Sequence, residues 1–310
     1  MSPAPSRLKI VSLLPAATEI VAALGFRDQL AGRSHECDYP AGVEALPVCT
    51  RPLIKPEGTS LEIDTQVKDA LKNALSIYEV LSDPLQQVQP DVIITQDQCE
   101  VCAVALNDVE AAVCDLLGGK ARIVSLNPEG LDKVYDDISR VAAALDADDA
   151  GKALITSMQN GFEDIARRTS GRTRPSVACI EWAEPLMAAG NWVPSLVDIA
   201  GGRDPFGTPG AHAPWLEPQR LYDEDPDVII FMPCGFGLER SEAEARAMLE
   251  KPEWQALSAV KNNRVYATDG NSYFNRPGPR LLDSAEILHE ILYPDDVEPK
   301  YKGSAWKNIA

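Results

Sequence analysis

The sequence predicts an α/β protein of two Rossmann-like lobes of similar topology, joined by a long helix, with a ligand cleft between the lobes. Three observations predict this. One strand motif is written twice, a central stretch has helical periodicity with charges suited to its two ends, and 310 residues at 45% apolar composition suit two modest domains.

The repeated motif is "PDVIITQDQC", Pro90 to Cys99, echoed by "PDVIIFMPCG", Pro226 to Gly235. Each opens on a Pro-Asp turn and continues in a β-branched run short enough for a buried parallel strand. Each then closes on polar residues and a cysteine. A second pair of echoes is "LKIVSLLPAATEIVAALG" from Leu8 and "PSVACIEWAEPLMAAGNWVPSLVDIAGG" from Pro175. Both read strand, loop, amphipathic helix and glycine stop. A third pair, "ARIVSLNPEGLDKVYDDISRVAAAL" and "NRVYATDGNSYFNRPGPRLLDSAEILHEIL", reads strand, Pro/Gly-rich loop and helix.

These echoes divide the chain into an N-terminal lobe over 8–128, a helical connection over 129–173 and a C-terminal lobe over 174–294. The tail over 295–310 is polar and is expected to lie extended on the surface. Within the connection, Leu154, Met158, Phe162 and Ile165 share one helix face. Asp146, Asp148 and Asp149 suit its positive N-terminal end, Arg167 and Arg168 its negative C-terminal end, and Gly171 its stop. Such a helix is a stiff spacer and predicts small lobe movement on binding.

Charge excludes one class of partner. The 47 acids outweigh the 29 bases, a net −18 that repels a phosphate backbone, so nucleic acid is set aside. No apolar run approaches the roughly 20 residues of a membrane-spanning helix. "MSPAPSRLKIVSLL" passes from a short Pro/Ser lead into a strand with no leader pattern. The expected location is therefore cytoplasmic, or periplasmic if a leader has been removed. Seven cysteines, an odd number, do not read as a disulfide framework.

Ligands of parallel α/β sheets sit beyond the carboxyl ends of the strands, so the loops after the strands matter most. Cys99 and Cys102 form a Cys-x-x-Cys in one such loop, Cys37 stands in another and Cys234 in the echo loop of the second lobe. This spacing allows a zinc or iron–sulfur site with four thiolates, a redox dithiol, or thiols that merely pack. Cys49, Cys114 and Cys179 sit in apolar surroundings and read as core. His35, Glu36 and Asp38 place ionisable groups beside Cys37, able to meet an axial metal position or ligand amides; Asp38 is equally a turn cap. Arg240 and Arg276 could hold a ligand carboxylate or phosphate, or form ordinary ion pairs. Catalysis has little support. The chain carries no Gly-x-Ser-x-Gly, no P-loop and no Gly-x-Gly-x-x-Gly after its first strand. His212 in a Pro/Gly-rich loop and His289 in the last helix are expected on the surface.

The pieces "IVSLLPAATEIVAALG", "DYP" at Asp38 to Pro40, "VDIAGG" at Val197 to Gly202 and "SYFNRPGPR" at Ser272 to Arg280 resemble the cobalamin-binding type of substrate-binding proteins of ABC importers. The resemblance covers roughly residues 8–292 and is nearest to a leaderless subgroup with "HECDYP", "QDxCEVC", "MPCGF" and "DGNxYFxRPGPR". It implies a non-enzymatic solute-binding protein, with cobalamin or a related corrinoid or metal chelate as ligand and an ABC permease as partner. Trp182, Trp192, Phe236, Tyr273 and Phe274 would then sandwich a large, partly apolar ring, with Gln98 and Glu100 among the polar residues at its edge. The alternative expectation is a cytosolic metalloprotein with a zinc ion or iron–sulfur cluster on Cys37, Cys99, Cys102 and Cys234.

Overall fold

A computed structural model describes residues 8–72, 78–96, 119–296 and 298–309. The chain forms two compact units. Unit 1 comprises Met1–Gly58, Thr65–Pro128 and Asp132–Thr156, and unit 2 comprises Thr59–Asp64, Glu129–Leu131 and Ser157–Ala310.

Unit 1 is built on a parallel sheet of β1 (Ile10–Ser12), β2 (Leu30–Arg33), β5 (Val92–Gln96) and β6 (Arg122–Leu126), in the order β2-β1-β5-β6. A small antiparallel pair, β3 (Thr50–Pro52) with β4 (Tyr78–Val80), stands apart from it. All of β5 is buried, as its unbroken β-branched run requires of a strand covered on both faces. Helix α1 (Pro15–Ala23) starts on a proline at its first position, where no N–H is needed, and stops before Gly25 at φ +88°. Helices α2 (Ser60–Lys72), α3 (Ser82–Val88) and α4 (Leu131–Ala144) follow. On α4 the carboxylate of Asp137 is buried, accepts the Asn127 N–H at 3.1 Å and pairs with Arg140.

Helix α5 (Asp148–Thr169) runs from unit 1 into unit 2. Its sequence reading holds in detail: Met158, Phe162 and Ile165 are buried along one face, with Leu154 half-buried, and the acidic first turn and basic last turn sit at the ends their charges suit.

Unit 2 carries β7 (Val177–Trp182), β8 (Met187–Ala188), β9 (Val228–Phe231), β10 (Val265–Thr268) and β11 (Trp306–Asn308), in the order β11-β10-β9-β7-β8. Its helices are α6 (Val193–Ile199), α7 (Pro218–Glu224), α8 (Leu238–Leu249), the short α9 (Pro252–Gln255) and α10 (Ser258–Lys261), and α11 (Leu281–Leu292). The three echoes are now explained. The parallel trio β1-β5-β6 of unit 1 recurs as β7-β9-β10 in unit 2, with the twin "PDVII" strands β5 and β9 at the centre of each trio.

The tail departs from expectation. Part of it is extended, but as an edge strand: β11 pairs antiparallel with β10, matching Thr268 with Trp306 and Tyr266 with Asn308. Trp306 and Ile309 are buried, and apolar burial, not polar solvation, fixes the segment. The buried carboxylate of Glu290 on α11 holds it there, accepting the N–H groups of Lys300 (2.6 Å) and Tyr301 (3.2 Å) and the indole N–H of Trp306 (2.7 Å). His289, expected on the surface, is fully buried beside it, and neither ring nitrogen has a hydrogen-bond partner. The helix face that carries it is apolar on both sides of the imidazole, with Ala285, Leu288 and Leu292 buried. His212 is exposed, as expected.

Candidate functional site

In each unit the loops beyond the carboxyl ends of the parallel strands form a distinct cluster, and the two differ in chemistry.

In unit 1 the loops after β1 and β2 meet in a web of hydroxyls. Thr18, one turn into α1, lies 2.8 Å from Ser12 Oγ and 3.0 Å from the thiol of Cys37. Thr50, at the start of β3, donates to Ser34 Oγ at 3.1 Å. Its oxygen faces both the backbone N–H of His35 (3.1 Å) and His35 Nδ1 (2.8 Å). In the tautomer that carries its proton on Nδ1, the imidazole donates to Thr50 Oγ1. Nε2 is then left with its lone pair. Burial, and then the Arg33 guanidinium, lower the His35 pKa to about 4, so the ring is neutral at physiological pH. Tyr78 packs against it with ring centroids 5.3 Å apart and donates to Glu36 Oε1 at 3.0 Å. Asp38 is exposed, as is Tyr39.

Gln98, Cys99, Glu100, Cys102 and Cys114 lie outside the described residues. Of the remaining thiols, Cys37, Cys49, Cys179 and Cys234 form no disulfide. Burial pushes Cys49 up to about 11 and Cys179 well above the ordinary thiol value, in keeping with their reading as core. Cys37 is buried against Thr18, and Cys234 is half-buried beyond β9. Among the described residues, no group of three or more His, Cys, Asp or Glu side chains could hold a metal ion. The four-thiolate site therefore has no support from its two described members.

In unit 2 the cluster is aromatic and cationic. Trp182, at the end of β7, tilts against Phe236 at 5.3 Å, and the Arg240 guanidinium lies 3.6 Å from the Phe236 ring centre. Trp182 is half-buried while Phe236 is almost wholly buried, so of this pair the indole is the accessible face. Beyond β10 the chain makes one wide turn, closed by the bond from Asn275 N–H to Gly270 O at 3.0 Å. Gly270 is required here: a Cβ would lie 2.4 Å from the carbonyl oxygen of Pro233. The indole of Trp192 donates to Phe274 O at 2.8 Å and fixes the same turn. Trp192, Phe274 and Arg276 are buried. Tyr273 is half-buried, with Arg280 over its ring and Tyr301 at its edge. A groove of about 490 Å³ opens beside Arg240, lined by the first turn of α8 and by Gly303, Ser304 and Lys307.

Several participants were not anticipated. Thr18, Ser34, Thr50 and Tyr78 belong to the unit 1 web, and nothing in their spacing marks a hydroxyl network assembled from four separate elements. Trp215 exposes 57% of its surface where its segment bridges to Met187 of β8. The signal for it was present, a tryptophan closing a Gly/Pro-rich loop.

Two α/β units, each with a loop cluster beyond its parallel strands, define a protein of the bilobal solute-binding class. The chain belongs to the periplasmic binding protein family, whose model matches residues 10–271. It is 22% identical over 296 residues to the uncharacterized ABC transporter substrate-binding lipoprotein YvrC of Bacillus subtilis, covering 93% of this chain and 80% of that one. It is 25% identical over 282 residues to a vitamin B12-binding protein of Vibrio cholerae, covering 90% and 86%. In fold it is similar to the periplasmic heme binding protein HutB of Vibrio cholerae, with a TM-score of 0.69 at 19% identity, covering 93% and 100%.

Proposed function

We infer that the protein is the solute receptor of an ABC importer, and that its cargo is a metal chelate with an open axial position. A corrinoid is the first candidate and heme the second. The observation that carries this reading is His35. A metal-binding imidazole commonly donates its other ring N–H to an oxygen, which fixes the tautomer and strengthens the lone pair. Thr50 stands where that oxygen is needed, at 2.8 Å from Nδ1. Neutral imidazole is also the form that ligates iron or cobalt. The accessible indole of Trp182 adds the flat surface that a macrocycle would use. Relatives named for vitamin B12 and for heme support the same ligand class. On this reading the protein works outside the cytoplasmic membrane in contact with a permease, the periplasmic arm of the sequence expectation; cell fractionation of the native producer checks it.

Titration of the purified protein with aquocobalamin and with hemin, followed in the visible spectrum, tests the ligand. Saturable binding with a shifted spectrum is expected for at least one of them. Absence of binding for both at millimolar protein would end the chelate reading.

A further inference from the structure

The segment Thr59–Asp64 belongs to the N-terminal half of the sequence but groups with unit 2. It is the first turn of α2, and it is capped twice. Thr59 and Glu62 form a reciprocal capping box: Thr59 N–H donates to Glu62 Oε2 at 2.8 Å and Glu62 N–H to Thr59 Oγ1 at 3.3 Å. A second carboxylate then arrives from α8. Glu244 accepts the Ser60 N–H at 3.2 Å and the Ser60 hydroxyl at 2.7 Å, an anion placed at the positive end of α2. The Ser60 carbonyl in turn accepts the indole N–H of Trp182 at 3.1 Å.

Ser60 is thereby 1% exposed, while its neighbour Leu61 remains 53% exposed. The bonds that fix Ser60 to Glu244 and Trp182 are all polar, and water or a ligand can replace each of them. They also occupy the single donor of the half-buried Trp182 indole, at its ring edge. We propose that the first turn of α2 is a strap, fastened by Glu244, that holds the indole edge of Trp182 through its N–H and is displaced when a ligand takes that edge. The proposal rests on the reading above, in which Trp182 receives the ligand. Its consequence is that apparent affinity carries the work of unfastening the strap, so a variant with the strap already loose binds more tightly.

Hydrogen exchange of the full chain, read at residues 59–64, compares wild type with Glu244→Ala and Ser60→Ala, both without ligand. Exchange at least 10-fold faster in Glu244→Ala is expected, with Ser60→Ala between it and wild type, and unchanged exchange over α11 reports that unit 2 is folded. Adding hemin or aquocobalamin to wild type is expected to accelerate exchange over the same six residues, and Glu244→Ala is expected to bind that probe about 5-fold more tightly. Exchange at 59–64 that is the same in all three proteins overturns the strap. A loosened segment with unchanged or weaker binding overturns its competition with ligand. Failure of wild type to bind either probe ends the proposed function and the displacement step with it, whereas the ligand-free exchange comparison still decides whether the strap exists.

Discussion

The two units carry the same parallel trio, β1-β5-β6 and β7-β9-β10, yet they finish it differently. At its strand ends unit 1 gathers hydroxyls, a carboxylate and a neutral imidazole, groups suited to one directed bond. Unit 2 gathers an indole, a phenyl ring and a guanidinium, groups suited to broad contact. The edges differ too: β2 joins its trio parallel, whereas unit 2 closes with antiparallel β8 on one side and antiparallel β11 on the other. A shared topology thus sets where loops gather, and the residues placed in those loops decide what they can hold.

The largest expected effect concerns the extra edge. Glu290 answers three donors at once, and unit 1 has no counterpart to the segment it holds among the described residues. Glu290→Ala leaves the Trp306 indole N–H and the Tyr301 N–H buried without this acceptor, frees the part-buried Lys300 N–H, and should cost about 3 kcal/mol of unfolding free energy. Urea denaturation followed by tryptophan fluorescence measures this, and a change under about 1 kcal/mol would show that β11 is held by its sheet bonds and apolar contacts alone.

Next in size is the division of labour between the strand-end clusters. His35→Ala should weaken hemin binding about 100-fold, close to 2.7 kcal/mol, and erase the axial signature in the spectrum. The same variant should bind metal-free protoporphyrin as wild type does. Trp182→Ala should weaken hemin and protoporphyrin alike, by about 10-fold, because stacking on an indole does not depend on the metal. Equal losses for both ligands in the His35 variant would remove the distinction between a bond-directing unit and a surface-providing one.

Much of this architecture was legible beforehand, for a physical reason. A strand buried on both faces is an unbroken β-branched run, so the twin "PDVII" segments announced β5 and β9 and their like positions. The long helix was readable from Met158, Phe162 and Ile165 together with its end charges. The sites were less readable. A list of loop residues does not tell which aromatic rings tertiary packing encloses: Phe236 and Trp192 are buried, whereas Trp182 is half-buried. Thr50 and Tyr78 reach His35 from the small β3–β4 pair, a tertiary meeting with no local pattern. The tail misled because its charged residues dominate its composition, whereas Trp306 and Ile309, few but buried, dominate its energetics.

The smallest expected effect separates two histidines whose pKa values burial depresses in different surroundings. His35 has a polar web on one side, whereas His289 is enclosed, with Tyr293 at 5.6 Å and four charged groups around it. Burial lowers the His289 pKa first; Arg168 and Arg172 lower it further, and Glu286 and Asp296 oppose them. A histidine whose folded pKa is depressed stabilises the fold above its unfolded value near 6.5 and loses that contribution as pH falls through the folded value. His289→Phe, which keeps a buried ring but cannot take up a proton, should therefore gain stability relative to wild type on going from pH 7.5 to pH 5. Asp137 runs the other way, since burial raises its carboxyl to about 6, so its contribution is lost as pH rises from about 4 to 6. Taking the difference between His289→Phe and wild type at each pH cancels that opposing term, because Asp137 is present in both proteins. A difference that stays constant between pH 7.5 and pH 5 would mean that His289 is protonated as easily folded as unfolded, and that Glu286 and Asp296 outweigh its burial.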